Sequence, residues 1–454
     1  MKAWRDMRNM ADNFLWGAAT AAYQIEGGYQ EDGRTESIWD RFSRTPGNIY
    51  ENQNGDIACD HYHRYDHDVK LMADLGIQSY RFSVSWPRIM TEEGKLNEKG
   101  LDFYKRLIEA LHRHQIAPAI TIYHWDLPQW LQDRGGWANR ETVKYYVAYA
   151  ETLFKHLGDS VSMWTTHNEP WCAAFLGYAF GVHAPGRRDW REALAASHHL
   201  LLSHGEAVQA YRSFGLDAEI GITLNLAPTY AATHLEKDQA AKRRSDGFSN
   251  RWFLDPIFKG VYPDDMVQLF TDRFGTLDFI HTNDLVKIHQ PIDFLGVNYY
   301  TSNVVADGDD DPVLHITHIE QTGKKTDMGW DIYPKGLYDL LVYVQKHYTD
   351  LPLFITENGA AFPDNVVNGR IDDHDRIDYL HAHLKAAQRF IQEGGNLKGY
   401  YVWSLLDNFE WAYGYAKRFG IIYVDFETQK RIVKESGRWY QKLIQNGPLK
   451  SLSL

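Results

Sequence analysis

The chain has 454 residues, 48 of them basic and 60 acidic, for a net charge of −12. That balance argues against a nucleic-acid partner, which needs a basic face. No run of about 18 apolar residues offers a membrane span, and the leading MKAWRDMRNMADNF lacks the apolar core of a secretory signal.

Length alone permits a large core without covalent staples. The only cysteines are Cys59 and Cys172, so disulfides do not support the fold and a reducing cytoplasm fits. Short β-rich runs alternate with amphipathic segments along the chain. In order they are FLWGAAT (14–20), SYRFSVSW (79–86), APAITIYHW (117–125), SMWTTHNEP (162–170), EIGITLNL (219–226), IDFLGVNYYT (292–301), LPLFITENG (351–359) and LKGYYVWSLLDN (397–408). Several are apolar almost throughout, as strands covered on both faces are.

The segments between them repeat every 3.6 residues. In 140–157, Val143, Tyr146, Val147, Ala150, Leu153, Phe154 and Leu157 share a side, with Asn139 placed to cap the start and Gly158 to end it. In 372–393, Ile377, Leu380, Leu384, Ala387 and Ile391 do the same, and Gly394-Gly395 stops the helix.

Eight β-then-α units predict an α/β fold, a closed (β/α)8 TIM barrel. A barrel needs about 250 residues, which leaves about 200 for long βα loops walling a deep pocket. No linker or internal repeat divides the chain, so a single domain over 1–454 is expected, with residues 1–12 an N-terminal extension. A doubly wound open sheet would want GxGxxG after its first strand, and YQIEGG does not supply it.

In a barrel, reactive groups stand at the C-terminal ends of the strands. Those ends carry Gln24 (strand one), His124 and Trp125 (three), Asn168 and Glu169 (four), Asn225 (five), Asn298 and Tyr300 (six) and Glu357 (seven). Strand eight brings Trp403, with Glu410 and Trp411 just beyond. Glu169 and Glu357, on strands four and seven, are expected to face each other across the pocket. Paired carboxylates suit glycoside hydrolysis, in which one gives a proton to the leaving oxygen and the other handles the oxocarbenium-like carbon. Gln24, His124, Asn168 and Glu410 can serve sugar hydroxyls, and Trp403 can lie against the apolar face of a pyranose. A small neutral glycoside is the expected partner.

These residues also carry a resemblance. From FLWGAATAAYQIEG to the C-terminus, through RFSVSWPRI, YHWDLPQWL, THNEP, GVNYYT, ITENG and VWSLLDNFEWAYGY, the chain resembles the bacterial glycoside hydrolase family 1 β-glucosidases. The resemblance implies retaining hydrolysis of terminal β-D-glucosyl residues, with Glu169 as acid/base and Glu357 as nucleophile. It implies a sugar site of Gln24, His124, Trp125, Asn168, Trp403, Glu410 and Trp411. Tyr300 would hydrogen-bond the nucleophile, Trp330 would wall the aglycone side, and Trp171 would line the same side. Relatives acting on 6-phosphosugars tend to replace the Glu of NFEW by a small residue; Glu410 here would repel a phosphate.

Other clusters have plainer readings. DGDDD (307–311) reads as a solvated loop tip, HYHRYDHD (61–68) as surface histidines and charge pairs on the first helix, and SHHLLLSH (197–204) as packing and surface. His167 reads as packing, where the family more often has an apolar residue. Cys172 lacks a histidine base that would make it a nucleophile. No metal and no cofactor is expected, since the strands offer only His124 and His167 as imidazoles. Two rival classes remain, a sugar-binding barrel without turnover and a metal-dependent barrel hydrolase.

Overall fold

A computed structural model describes residues 14–91, 94–447 and 449, so the expected extension over residues 1–12 lies outside the described part. Eight parallel strands close into a barrel. They are β1 (Leu15–Ala19), β2 (Ser79–Ser83), β3 (Ala117–Tyr123), β4 (Met163–Asn168), β5 (Glu219–Asn225), β6 (Phe294–Asn298), β7 (Leu353–Asn358) and β8 (Leu397–Trp403). Each pairs with its sequence neighbours, and β8 closes on β1 with Leu15 opposite Gly399 and Ala19 opposite Trp403. All eight predicted runs therefore contain strands, each trimmed at one or both ends.

The helical expectations hold with shifts of a residue or two. Helix Glu141–Leu157 ends at Gly158, and Asn139 Oδ1 accepts from the Glu141 amide at 3.0 Å. Val147 is only half-buried, while Tyr149 is fully buried and stacks on Trp86 at 4.8 Å. Helix His374–Gln392 stops before Gly394, whose φ of 95° suits a residue without Cβ.

The surplus length falls mostly on one side of the strands. Long excursions follow β1 (20–60), β4 (169–189), β6 (299–333) and β8 (404–434) before the next long helix begins. Two of the plain readings need correction here. Residues 307–311 are not a loop tip: they end strand Asn303–Asp311, which pairs with Ile316–His318 and Thr229–Ala231 in a small sheet. Alternate residues of an edge hairpin face water, so an acidic run can be both extended and solvated. The histidines of 197–204 are not at the surface. Helix Trp190–Ser213 packs against helix Glu141–Leu157, the short helix Asp284–Ile288 and strands β4 and β5, which leaves His198, His199 and His204 fully buried. Each is held by a polar partner: His198 by Asp284 at 2.9 Å, His199 by the Trp137 carbonyl at 2.8 Å, and His204 by Thr166 at 2.7 Å.

His63 and His67 are exposed and ion-paired as expected, but His61 is buried against Asp68 at 2.8 Å. His167 does pack, stacked on Tyr146 at 4.5 Å and bonded to Ser203 at 2.8 Å.

Buried ion pairs tie the excursion after β7 to the one after β8. Lys434 meets Asp364 and also Asp407, the latter at 2.7 Å; Arg376 meets Asp373 and Asp364; Arg418 meets Asp407 at 2.7 Å. Asp407 lies three residues before Glu410, so this network holds the end of the pocket that Glu410 occupies.

Candidate active site

Both carboxylates reach the pocket through local breaks in strand geometry. Strict alternation would send either Asn168 or Glu169 away from the barrel axis. β4 ends at Asn168, its register with β5 slips between Thr165 and Asn168, and Glu169 takes a left-handed φ of 49°. That conformation costs a non-glycine residue about 1–3 kcal/mol and is retained where the surroundings over-determine it. In β7 the register against β6 slips between Ile355 and Glu357. Thr356 can then bond Asn298 inside the barrel at 2.7 Å while Glu357, the next residue, also turns into the pocket. Gly359 completes the turn: a Cβ there would lie 1.7 Å from the Trp403 carbonyl oxygen.

The positions correct one expectation. β4 and β7 are three steps apart around the ring, with β5 and β6 between them; β8 is the strand diametrically opposite β4. Glu169 and Glu357 flank one side of the mouth, and Asn298, at the end of β6, sits between them.

Arg81, from the middle of the barrel wall on β2, orients the whole set. One guanidinium nitrogen donates to Glu357 Oε1 at 2.7 Å and the other to Asn168 Oδ1 at 2.6 Å. Arginine only donates, so the Asn168 oxygen must face it. The same oxygen accepts from Asn298 Nδ2 at 3.1 Å, which fixes that amide, and Asn298 Nδ2 donates onward to Glu169 Oε1 at 2.6 Å. Asn168 Nδ2 in turn donates to His124 Nε2 at 3.1 Å. His124 must therefore carry its proton on Nδ1, a buried atom with no partner among the described residues. Burial holds this imidazole well below its ordinary pKa, with the Arg81 charge adding to the effect, so it is neutral.

The two carboxylates differ in surroundings. Glu357 accepts from Arg81 and, on Oε2, from the Tyr300 hydroxyl at 2.5 Å. Burial raises its pKa, but Arg81 and Tyr300 both oppose that rise. Glu169 has no cation bonded to it. Burial first and the Glu357 charge second push it up to about 7. Near neutral pH the set favours an ionised Glu357 beside a Glu169 that keeps its proton in a substantial fraction of molecules, the division of labour that acid catalysis with a carboxylate partner requires.

Beyond them lies a polar end with aromatic walls. Gln24 Nε2 donates to Asn408 Oδ1 and the Phe409 carbonyl, both at 2.9 Å, and lies 3.4 Å from Glu410 Oε2. Its Oε1 is buried and unpartnered. Burial, and then the charges of Glu357 and Glu169, push Glu410 up to about 8. His124 lies between the rings of Trp403 (5.9 Å) and Trp411 (6.0 Å), and Trp125 packs on Trp411 at 4.6 Å. The Trp125 indole N–H is spent on the Asn168 carbonyl at 2.9 Å, so toward a ligand Trp125 offers its ring. Trp330 stands at the rim, 5.3 Å from the Tyr300 ring, and Trp171 packs against Phe248 at 5.4 Å. Asn225 closes β5 in register with Asn298.

Sequence reasoning missed Arg81 and Asn408 and set Cys172 aside. Arg81 sits in SYRFSVSW, where a single cation in an apolar strand was itself the available signal: such a charge stays buried only with a partner. Cys172 proves to touch Glu169, with Sγ 3.1 Å from Oε2. Among the described residues no cluster of three or more His, Cys, Asp or Glu could hold a metal, and no helix is long and apolar enough to cross a membrane.

A closed parallel barrel with two buried acids of unlike environment at its C-terminal mouth places the chain among the barrel glycoside hydrolases. Residues 7–448 match the model for Glycosyl hydrolase family 1, and the chain belongs to that family. It is 54% identical to β-glucosidase A of Acetivibrio thermocellus over 96% of this chain and 98% of the relative. It is 48% identical to the 1,4-β-D-glucan glucohydrolase of Thermotoga neapolitana over 98% and 100% respectively. The crystal structure of the GH1 β-glucosidase from Exiguobacterium antarcticum B7 superposes with a TM-score of 0.94 at 52% identity, covering 96% of this chain and 98% of that one.

Proposed function

We propose that this protein is a retaining β-glucosidase that removes the terminal non-reducing β-D-glucosyl residue from cello-oligosaccharides and from aryl or alkyl β-glucosides. The observation that carries the reading is the asymmetry of the two acids: Glu357 is bonded to Arg81 and Tyr300, whereas Glu169 meets only an amide and a thiol. The names of the relatives, β-glucosidase A and 1,4-β-D-glucan glucohydrolase, support the substrate class.

In this reading Glu357 attacks the anomeric carbon as the bond to the aglycone oxygen breaks, and that oxygen takes the proton of Glu169. A glucosyl ester on Glu357 results. Glu169, now a carboxylate, takes a proton from water; the water oxygen attacks the anomeric carbon and Glu357 departs. Esterification removes the Glu357 charge that helped to raise the pKa of Glu169. The acid of the first step therefore gives up its proton readily and becomes the base of the second. Gln24, His124, Asn168, Trp403, Glu410 and Trp411 form the sugar site, with Trp125, Asn225, Asn298 and Tyr300 supporting it, and Trp330 and Trp171 line the aglycone side. We also place the enzyme in the reducing cytoplasm, which the two free, buried cysteines support.

Proton NMR of the first glucose released, read before mutarotation, tests the reaction. Two inversions yield the β anomer first; an early α signal would make Glu357 a base that activates water and would overturn the covalent route. A second expectation concerns the sugar end. Glu410→Ser removes an acceptor for distal hydroxyls, and kcat/KM on 4-nitrophenyl β-glucoside should fall by about 10-fold, the upper range of one hydrogen bond to a carboxyl that burial keeps largely neutral. An unchanged value would remove Glu410 from the site.

A further inference from the structure

The forced amide orientations have a consequence for the proton of Glu169. Asn298 Nδ2 can only donate, and it donates to Glu169 Oε1 at 2.6 Å. An acid proton on Oε1 would meet that N–H head-on. The carbonyl-type oxygen is the better acceptor, so the proton of the acid form is favoured on Oε2, and the group facing Oε2 among the described residues is the thiol of Cys172, at 3.1 Å.

We infer that Cys172 is a positioning residue for the acid/base, a two-way hydrogen-bond partner that serves both protonation states of Glu169 through Oε2. A thiol is a weak donor and a weak acceptor at the same atom. Toward the protonated acid, Sγ accepts from Oε2–H and keeps the proton on that oxygen. Toward the carboxylate, S–H turns and donates to Oε2. Because both bonds are weak, neither state is trapped, and the proton remains available to a glycosidic oxygen.

The local fold supports this arrangement. Cys172 opens the π-helical turn Cys172–Ala179 three residues after the left-handed Glu169, and its amide donates to the Glu169 carbonyl at 3.0 Å. The side chain is buried. Burial, together with Glu169 and Glu357, pushes the thiol well above its ordinary pKa, so it keeps its proton and is not a nucleophile. The other charged or titratable groups acting on Glu169 are Glu357 from β7, Arg81 from β2, Tyr300 beyond β6 and Glu410 beyond β8. The Tyr300 hydroxyl is spent on Glu357, and the thiol is the neutral two-way group that lies within hydrogen-bond distance of Oε2.

The inference rests on Glu169 being the acid/base, and the experiment separates the two. The alkaline limb of the kcat/KM profile on 4-nitrophenyl β-glucoside is measured for the unmodified enzyme, Cys172→Ala, Cys172→Ser and Glu169→Ala. Removing a donor to the carboxylate raises the pKa, so Cys172→Ala should carry the limb upward by about half a pH unit. The hydroxyl of Cys172→Ser is a better donor to an anion, and its limb should move downward by about as much. A residue that merely fills space would move both limbs together or neither. That result, with the limb abolished in Glu169→Ala, overturns the inference and leaves the proposed function standing. A limb that survives in Glu169→Ala belongs to another group and overturns the functional reading, taking this inference with it. The near-isosteric serine keeps the test decisive if the alanine variant folds poorly, since an unmoved serine limb is then sufficient to reject it.

Discussion

Glu357→Ala is expected to lower kcat by roughly 10⁴-fold or more on any β-glucoside, because the group that forms the covalent bond is gone. The expectation follows from where the register slip in β7 delivers this side chain and from the two donors, Arg81 and Tyr300, waiting for its charge. The shortened side chain leaves room beside the anomeric carbon. Added azide should therefore restore turnover of an activated glucoside, and the product should be the α-glucosyl azide, since a single displacement inverts the centre. A variant with near-normal kcat would end the nucleophile assignment, and a β-azide would place the attacking group on the other face.

Arg81→Met should have the next largest effect. Arg81 is almost fully buried, and removing one partner of a buried pair costs about 3–5 kcal/mol if the remaining charge is kept. Glu357 escapes that penalty by taking a proton. Arg81 holds the pKa of Glu357 down, so its loss moves that pKa up, and the acid limb of kcat/KM should shift to higher pH by more than about one unit. At pH 6 the activity should fall by about 10-fold or more, the share of ionised Glu357 lost when its pKa rises past the assay pH by a unit. Asn168 also loses the contact that fixes its amide, so KM should rise as well. The check is a pH profile together with circular dichroism to show that the barrel is intact. A folded variant whose acid limb has not moved would show that Arg81 is not what keeps Glu357 ionised.

Much of this site was legible in the sequence because barrels write their function at strand ends. Glu357 after LPLF, Asn168-Glu169 after SMWTT and Asn298 after IDFLGV announce themselves as polar groups where an apolar strand stops. Arg81 did not, because it stands inside β2 and meets Glu357 and Asn168 only once the ring has closed. Counting strands placed Glu169 and Glu357 face to face, whereas ring closure sets their strands three steps apart and the β4 and β7 irregularities decide how both turn inward. The buried histidines of 197–204 failed as a surface reading for a similar reason. Helix Trp190–Ser213 is covered on its outer face by chain nearly a hundred residues later, including Asp284, which the helical period cannot report. The acidic run at 307–311 was misread because strand propensity disfavours Asp, yet pairing to Ile316–His318 supplies what the residues themselves do not.

The fixed amides between Arg81 and His124 give the pocket a grammar. Each link settles which atom gives and which receives, and the sequence of links ends in one unpaired giver, His124 Nδ1–H. On the neighbouring wall, the bonds around Asn408 and Gln24 end in one unpaired receiver, Gln24 Oε1. A pyranose hydroxyl can play either part, so the proposed sugar substrate would suit both. A fluorine in its place can only receive, and a hydrogen can do neither. Under the proposed function, sugars of the same size and outline would be unequal here: discrimination would fall on the direction in which a hydroxyl points its hydrogen, a direction set at His124 by Arg81 through Asn168 and at Gln24 by the Phe409 carbonyl before any ligand arrives.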